Sequence, residues 1–223
     1  MQAASWRVVS VGLLSLCLGC GGEGNGGLGG DELGDGGSGA DAGSSPDMTV
    51  VPDCVGKSLP AMLGTQNRTI SIGSSKRTYV LHIPPGYDPT RFTQVVFAFH
   101  GFTNQATDFT KSIGIEAASD QRNFIAVIPQ GSGLIPSWNA GGCCGEAQTL
   151  GTDDVGFVKQ LLTSLRAEFC VDDKRIFAMG HSNGGFMVNR LACELADDFA
   201  AIGPNSAGLI FSGCKPSRPV PVY

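Results

Sequence analysis

Apolar residues recur along this chain at two spacings, and the two alternate. Gln94–His100 (QVVFAFH) and Phe124–Ile128 (FIAVI) are nearly continuous apolar runs, as expected of strands covered on both faces. Arg68–Ile72 and Arg77–Ile83 are rich in β-formers, and Gly73-Ser74-Ser75 between them predicts a hairpin. Pro84-Pro85-Gly86-Tyr87-Asp88-Pro89 then breaks the chain. Helical spacing dominates Asp153–Phe169, where Val155, Val158, Leu161, Leu162, Leu165 and Phe169 line one side and Thr152 or Asp153 can cap the start. Lys111–Arg122 also reads as a helix. Lys174–Met179 reads as a buried strand, followed beyond Gly185 by a helix with Phe186, Val188, Leu191 and Leu195 in a stripe. Phe199–Gly203 predicts a further strand, and Pro219–Tyr223 the beginning of another. Strand and helix alternate, which predicts an α/β fold: a mostly parallel sheet with helices on both faces.

The first fifty residues follow neither spacing. Arg7 precedes an apolar run from Val8 to Leu18, the length of an export signal and too short to span a bilayer. Leu18-Gly19-Cys20 has the form of a lipoprotein processing site, with Cys20 as the lipidated mature N-terminus. Cys17 departs from that pattern, which usually has an aliphatic residue there. Residues 21–53 carry many glycines and, between Arg7 and Lys57, all the charges are negative: Glu23, Asp31, Glu32, Asp35, Asp41, Asp47 and Asp53. That composition predicts a disordered, self-repelling tether. The expected organisation is a signal over 1–20, the tether over 21–53 and a folded domain over 54–223.

Charge and cysteines refine the picture. The net charge of −5 comes from the tether; setting Arg7 and the seven tether acids aside leaves 14 basic and 13 acidic residues from Lys57 on. No nucleic-acid footprint is present, since that needs clustered Lys and Arg on one face. Cys54, Cys143, Cys144, Cys170, Cys193 and Cys214 form an even set in a chain expected to be exported, which favours disulfides. Their spacing includes no C-x-x-C, so a zinc site is not expected; no cofactor is expected either. The sequence does not select a pairing, although the adjacent Cys143 and Cys144 are expected to bond to different partners.

The candidate chemistry lies in Gly180-His181-Ser182-Asn183-Gly184-Gly185. G-x-S-x-G between a strand and a helix is the pattern of a nucleophile elbow, a strained turn that lifts a serine hydroxyl above the sheet. Gly180, Gly184 and Gly185 are expected where a side chain would collide with a neighbouring element. The helix N-terminus then points at Ser182 and can steady negative charge beside it.

With the elbow stand the strand ending in His100-Gly101, then Ser137-Trp138, Cys143-Cys144-Gly145 and Asp153-Asp154-Val155-Gly156-Phe157. In that order they resemble the secreted α/β-hydrolase esterases of the polyhydroxybutyrate depolymerase-like and feruloyl or acetylxylan esterase-like group, from about Arg77 to the last residue. The resemblance implies that Ser182 attacks an ester carbonyl to form an acyl-enzyme. It also implies an oxyanion held by the N–H groups of Asn183 and Phe102. His100, Gly101, Trp138 and His181 would then stand around the substrate, an ester such as a polyester or a cell-wall polysaccharide ester. The membrane would be reached only through a lipid at Cys20, and the location would be the outer membrane or the medium.

Several of these residues have plainer roles available. His100 ends a buried strand and suits packing and a local hydrogen bond; His181 faces away from where a base must approach; His82 is expected to face solvent. Asp153 and Asp154 open a helix, where capping and dipole interaction account for them. Trp138 fits a pocket wall or a loop core equally well. Triads on this fold run Ser, then Asp or Glu, then His. Only 41 residues follow Ser182 and none is a histidine. The expectation is therefore that two triad members and the last strands are missing. A non-catalytic surface lipoprotein and a serine peptidase remain alternatives on the same fold.

Overall fold

The strand Thr93–Phe99 (β3) shows why its sequence is apolar throughout. Val95, Phe97 and Phe99 enter one core, while Val96 and Ala98 enter a second core on the opposite face. A computed structural model describes residues 54–223 of the protein. The signal over 1–20, with Cys20, and the tether over 21–53 lie outside the described residues.

The elements run β1 (Gly64–Ile72), β2 (Ser75–Ile83), β3, α1 (Ala106–Ile113), α2 (Ile115–Arg122), β4 (Ile125–Pro129), α3 (Glu146–Thr149), α4 (Asp154–Glu168), β5 (Val171–His181), α5 (Asn183–Glu194) and β6 (Ala201–Asn205). The sheet has six strands in the order β1-β2-β4-β3-β5-β6. The β1–β2 hairpin and the β2–β4 pairing are antiparallel; β4, β3, β5 and β6 are mutually parallel. The chain's last residues extend the sheet, because Val222 bridges Ile202 in parallel. There the Ile202 N–H donates to the Pro221 carbonyl (2.9 Å) and the Tyr223 N–H to the Ile202 carbonyl (3.0 Å).

Helices cover both faces. The larger core joins β2, β3, β4 and β5 to α4 through Phe157, Val158, Leu161 and Leu162, and to α5 through Met187, Val188 and Leu191. The second joins Val80, Ala98, Ala126 and Ile128 to Ala106 and Phe109 of α1 and Ile115 of α2. Each large side chain so enclosed contributes about 1.5–3 kcal/mol of burial.

Four expectations need correction. The helix expected over Lys111–Arg122 is two helices, because Gly114 sits at φ 62° and closes α1 with its N–H on the Lys111 carbonyl. His82 is buried, since in β2 it shares a face with Val80 and α2 lies over that face. Its ring nitrogens meet Thr65 Oγ1 and Asp120 Oδ1, each at 2.8 Å. Asp153 caps α4 by accepting from the Gly156 N–H, and Asp154 sits in the first turn as expected, but capping and dipole interaction do not account for it fully. Its fully buried carboxylate pairs with Arg77 at 2.8 Å and accepts the Asn139 N–H at 2.7 Å.

The fourth correction concerns the cysteines. Cys54 bonds Cys170 and Cys193 bonds Cys214, and Cys143 and Cys144 bond to each other. With the other four cysteines of the described residues paired, the adjacent two are left to each other among the described residues. Cys54–Cys170 ties the start of the domain to the entry of β5, and Lys57 strengthens that tie. Its ammonium donates to the Arg166 and Ala167 carbonyls at the end of α4 (2.7 and 2.6 Å), where cationic charge suits the helix dipole.

Candidate active site

Ser182 joins β5 to α5 with φ 52° and ψ −118°, a conformation that costs a non-glycine residue about 1–3 kcal/mol. The surrounding contacts hold it there. The Ser182 N–H donates to the Asn205 carbonyl at the end of β6 (2.9 Å), and the Ser182 carbonyl accepts the Phe186 N–H (2.9 Å).

The glycines around the serine permit a very close strand–helix approach. A Cβ on Gly184 would lie 2.1 Å from the Phe99 carbonyl oxygen, and one on Gly180 would lie 2.3 Å from that of Gly184. At Gly185 the obstacles would be Ala207 Cβ at 2.6 Å and the Asn205 carbonyl at 2.8 Å. Backbone cannot step aside as a side chain can, so these positions admit only glycine.

The turn after β3 lies against the elbow. A Cβ on Gly101 would stand 3.4 Å from the His181 carbonyl and 3.6 Å from Ser182 Cβ. Thr103, at φ 72°, shapes this turn, and its N–H donates to the Pro136 carbonyl at 2.9 Å. The N–H groups of Phe102 and Asn183 have no intramolecular acceptor among the described residues. Asn183 follows Ser182 directly and Phe102 follows Gly101, so the two free donors belong to the two turns that meet here.

His100 and Trp138, expected beside the substrate, are both fully enclosed and present no surface to a ligand. The Trp138 indole N–H donates to the His100 carbonyl at 2.9 Å, and its ring meets Phe99 edge-on. His100 Nε2 accepts the Gly131 N–H at 2.9 Å, which leaves Nδ1 to carry the proton and donate it to the Gly101 carbonyl at 2.8 Å. Burial also lowers its pKa from the usual 6.5, so the ring is held neutral. Both residues are scaffold for the 101–103 turn. His181 is exposed and pairs through Nδ1 with Asn205 Oδ1 at 2.8 Å.

The Asn183 side chain does work that its place in the motif does not reveal. It is fully buried, its Oδ1 accepts the Trp138 N–H at 2.7 Å, and its Nδ2 donates to the carbonyls of Trp138 and Cys143, each at 3.1 Å. These bonds clamp the 131–151 loop to the elbow. Asn139 in the same loop is fixed by Asp154, and its carbonyl accepts from Arg190 of α5 at 2.7 Å. Only the three-dimensional partners disclose Asn139, Asp154 and Asn205, since no local spacing marks them.

A mostly parallel sheet, helices on both faces and a serine at a glycine-packed strand–helix turn define the α/β-hydrolase class. The chain belongs to the Esterase PHB depolymerase family, whose model matches residues 77–217. Feruloyl esterase B of Piromyces equi is 32% identical over 153 residues, covering 66% of this chain and 28% of that protein. Feruloyl esterase C of Emericella nidulans is 36% identical over 144 residues, covering 62% and 48%. Among solved structures, acetyl xylan esterase from Aspergillus awamori has a TM-score of 0.55 at 19% identity, over 63% of this chain and 50% of that one. The chain therefore spans about half the length, or less, of the curated relatives it matches.

Proposed function

We propose that Ser182 is the nucleophile of a carboxylic-ester hydrolase that works through an acyl-enzyme. The observation that carries this reading is Ser182 itself, held at φ 52° where its turn meets Gly101, with the unpaired N–H groups of Asn183 and Phe102 next in the chain to those two residues. The hydroxyl adds to an ester carbonyl, the two donors hold the oxyanion, and the alcohol leaves; water then releases the acid. The names of the relatives favour feruloyl or acetyl esters of plant cell-wall polysaccharide, and the family name favours polyesters.

The step that removes the serine proton needs a base, and we assign that role to none of the described histidines. Among the described residues none of the three histidines bonds to Ser182 Oγ; His82, His100 and His181 are engaged with Asp120, Gly131 and Asn205. That same observation favours the second reading, a non-catalytic surface protein, for these residues standing alone. A fluorophosphonate probe applied to a longer protein, carrying the Asp and His of the triad, should label one residue. Labelling should vanish in Ser182→Ala, and a variant that still labels would place the nucleophile elsewhere.

We further infer that the protein is exported and held to a membrane by lipid on Cys20. Leu18-Gly19-Cys20 supports this, as do three disulfides in the folded body, which suit an oxidising compartment. Metabolic palmitate label should enter the native chain and not Cys20→Ser. An unlabelled native protein recovered in the medium would refute the anchor.

A further inference from the structure

We propose that the Cys143–Cys144 disulfide is a thiol-exchange site, opened by dithiols while the other two disulfides stay closed, and that its opening is felt at the Ser182 elbow. Exposure separates the three bonds. Cys54 and Cys170 are 2% and 1% exposed; Cys193 is 7% exposed while its partner Cys214 is half-buried; Cys143 and Cys144 are both half-buried. Exchange needs a thiolate to reach a sulfur, and the vicinal bond offers two partly exposed cysteines, Cys193–Cys214 one and Cys54–Cys170 none.

Chain connectivity gives the same order. Cys54–Cys170 joins residues 116 apart and Cys193–Cys214 residues 21 apart, and each therefore restricts the unfolded chain. Cys143–Cys144 joins neighbours, closes no loop of consequence, and adds almost nothing to global stability by that route. Its role is local. It can open while the domain remains folded.

The local surroundings lead directly to the elbow. The Cys143 carbonyl accepts from Asn183 Nδ2, whose other bonds hold Trp138. One residue further on, a Cβ at Gly145 would stand 2.6 Å from Phe102 Cε2 and 2.8 Å from Ser137 Oγ. The 143–145 turn thus leans on both Asn183 and Phe102, the residues proposed to hold the oxyanion. Constraining that turn constrains Asn183 and Phe102 together.

The exchange balances without any other reactant. One thiolate of the dithiol attacks a cysteine sulfur, the Cys143–Cys144 bond breaks, and a mixed disulfide forms. The second thiolate closes on the first sulfur and releases the protein. The reagent becomes a cyclic disulfide, and its two protons end on the two cysteine thiols.

The full chain would be treated with graded dithiothreitol under native conditions and alkylated with iodoacetamide. Mass spectrometry should find Cys143 and Cys144 modified at concentrations that leave Cys54, Cys170, Cys193 and Cys214 unmodified. Earlier modification of either other pair would overturn the assignment. Hydrogen exchange is followed on the same samples at the Trp138 amide, bonded to Asn183 Oδ1, and at the Phe186 amide, bonded to the Ser182 carbonyl. Opening should speed both by roughly 3- to 10-fold, the factor that one hydrogen bond is worth, while the Leu162 amide within α4 stays unchanged. A Cys143→Ser/Cys144→Ser variant should show the faster exchange without dithiothreitol and no further response to it. Trp138 and Phe186 amides indifferent to opening would refute the link to the elbow. No readout depends on hydrolysis, so a failed Ser182 assignment would leave this result standing, and the reverse also holds.

Discussion

Residues 1–223 alone are expected to turn over p-nitrophenyl acetate and methyl ferulate on the order of 10⁶-fold more slowly than a serine hydrolase with its base in place. A serine hydroxyl is a weak nucleophile at neutral pH until a base takes its proton. His100 is the natural suspect, because its turn touches the elbow. Its lone pair, however, is filled by the Gly131 N–H and its proton is held by the Gly101 carbonyl. To act as a base it would have to break both bonds and leave a site in which it is fully enclosed. What survives is the oxyanion pair, and with binding that is worth roughly 10³–10⁴-fold over water. The purified chain would be assayed beside Ser182→Ala and His100→Asn. Robust turnover that disappears in Ser182→Ala would overturn the argument, and its parallel loss in a folded His100→Asn would identify His100 as the base.

The strands and long helices were legible because each answers to a local rule. β3 and β4 carry continuous apolar runs since each is covered twice, and α4 carries its stripe because only one side meets the sheet. Ser182 and its glycines were legible because the elbow is a chemical motif with a steric cause, visible in the 2.1–2.8 Å approaches at Gly180, Gly184 and Gly185. Gly114 misled because glycine inside a helical pattern is tolerated as often as it stops one. His82, Asp154 and the cysteine pairs share another cause: their environment is set by residues far away in the chain. Asp120 stands 38 positions from His82, Arg77 stands 77 from Asp154, and Cys170 stands 116 from Cys54. The Asn183 carboxamide was hidden for the same reason, since its acceptors lie 40 and 45 residues back.

Asp154→Ala is expected to destabilise the domain by about 3–5 kcal/mol, the usual cost of stranding one partner of a buried ion pair. Surface pairs in this protein, such as Arg218–Asp197, are well exposed to water and are worth about 0–1 kcal/mol. Asp154 differs because its side chain is fully enclosed and Arg77 opposite is only 13% exposed. Without the carboxylate, Arg77 keeps the Gln130 carbonyl and the Phe157 ring face, 4.1 Å away, but no counter-charge. The Asn139 N–H also loses its acceptor, and with it the anchor of the loop that Asn183 clamps. Asp154→Asn should cost less, about 1–3 kcal/mol, because an amide oxygen can still accept from Asn139. Burial raises the Asp154 pKa above the usual 3.8, more than Arg77 and the Asn139 N–H pull it down. The folded state then holds this proton more tightly than the unfolded chain does. The group's contribution is therefore most favourable at low pH and declines as pH rises from about 3.8 through the raised folded value. Urea unfolding of wild type, Asp154→Ala and Asp154→Asn across that range tests both parts. A wild-type-like midpoint for Asp154→Ala would show that the pair contributes nothing, and a pH slope unchanged in Asp154→Asn would show that the proton belongs to another group.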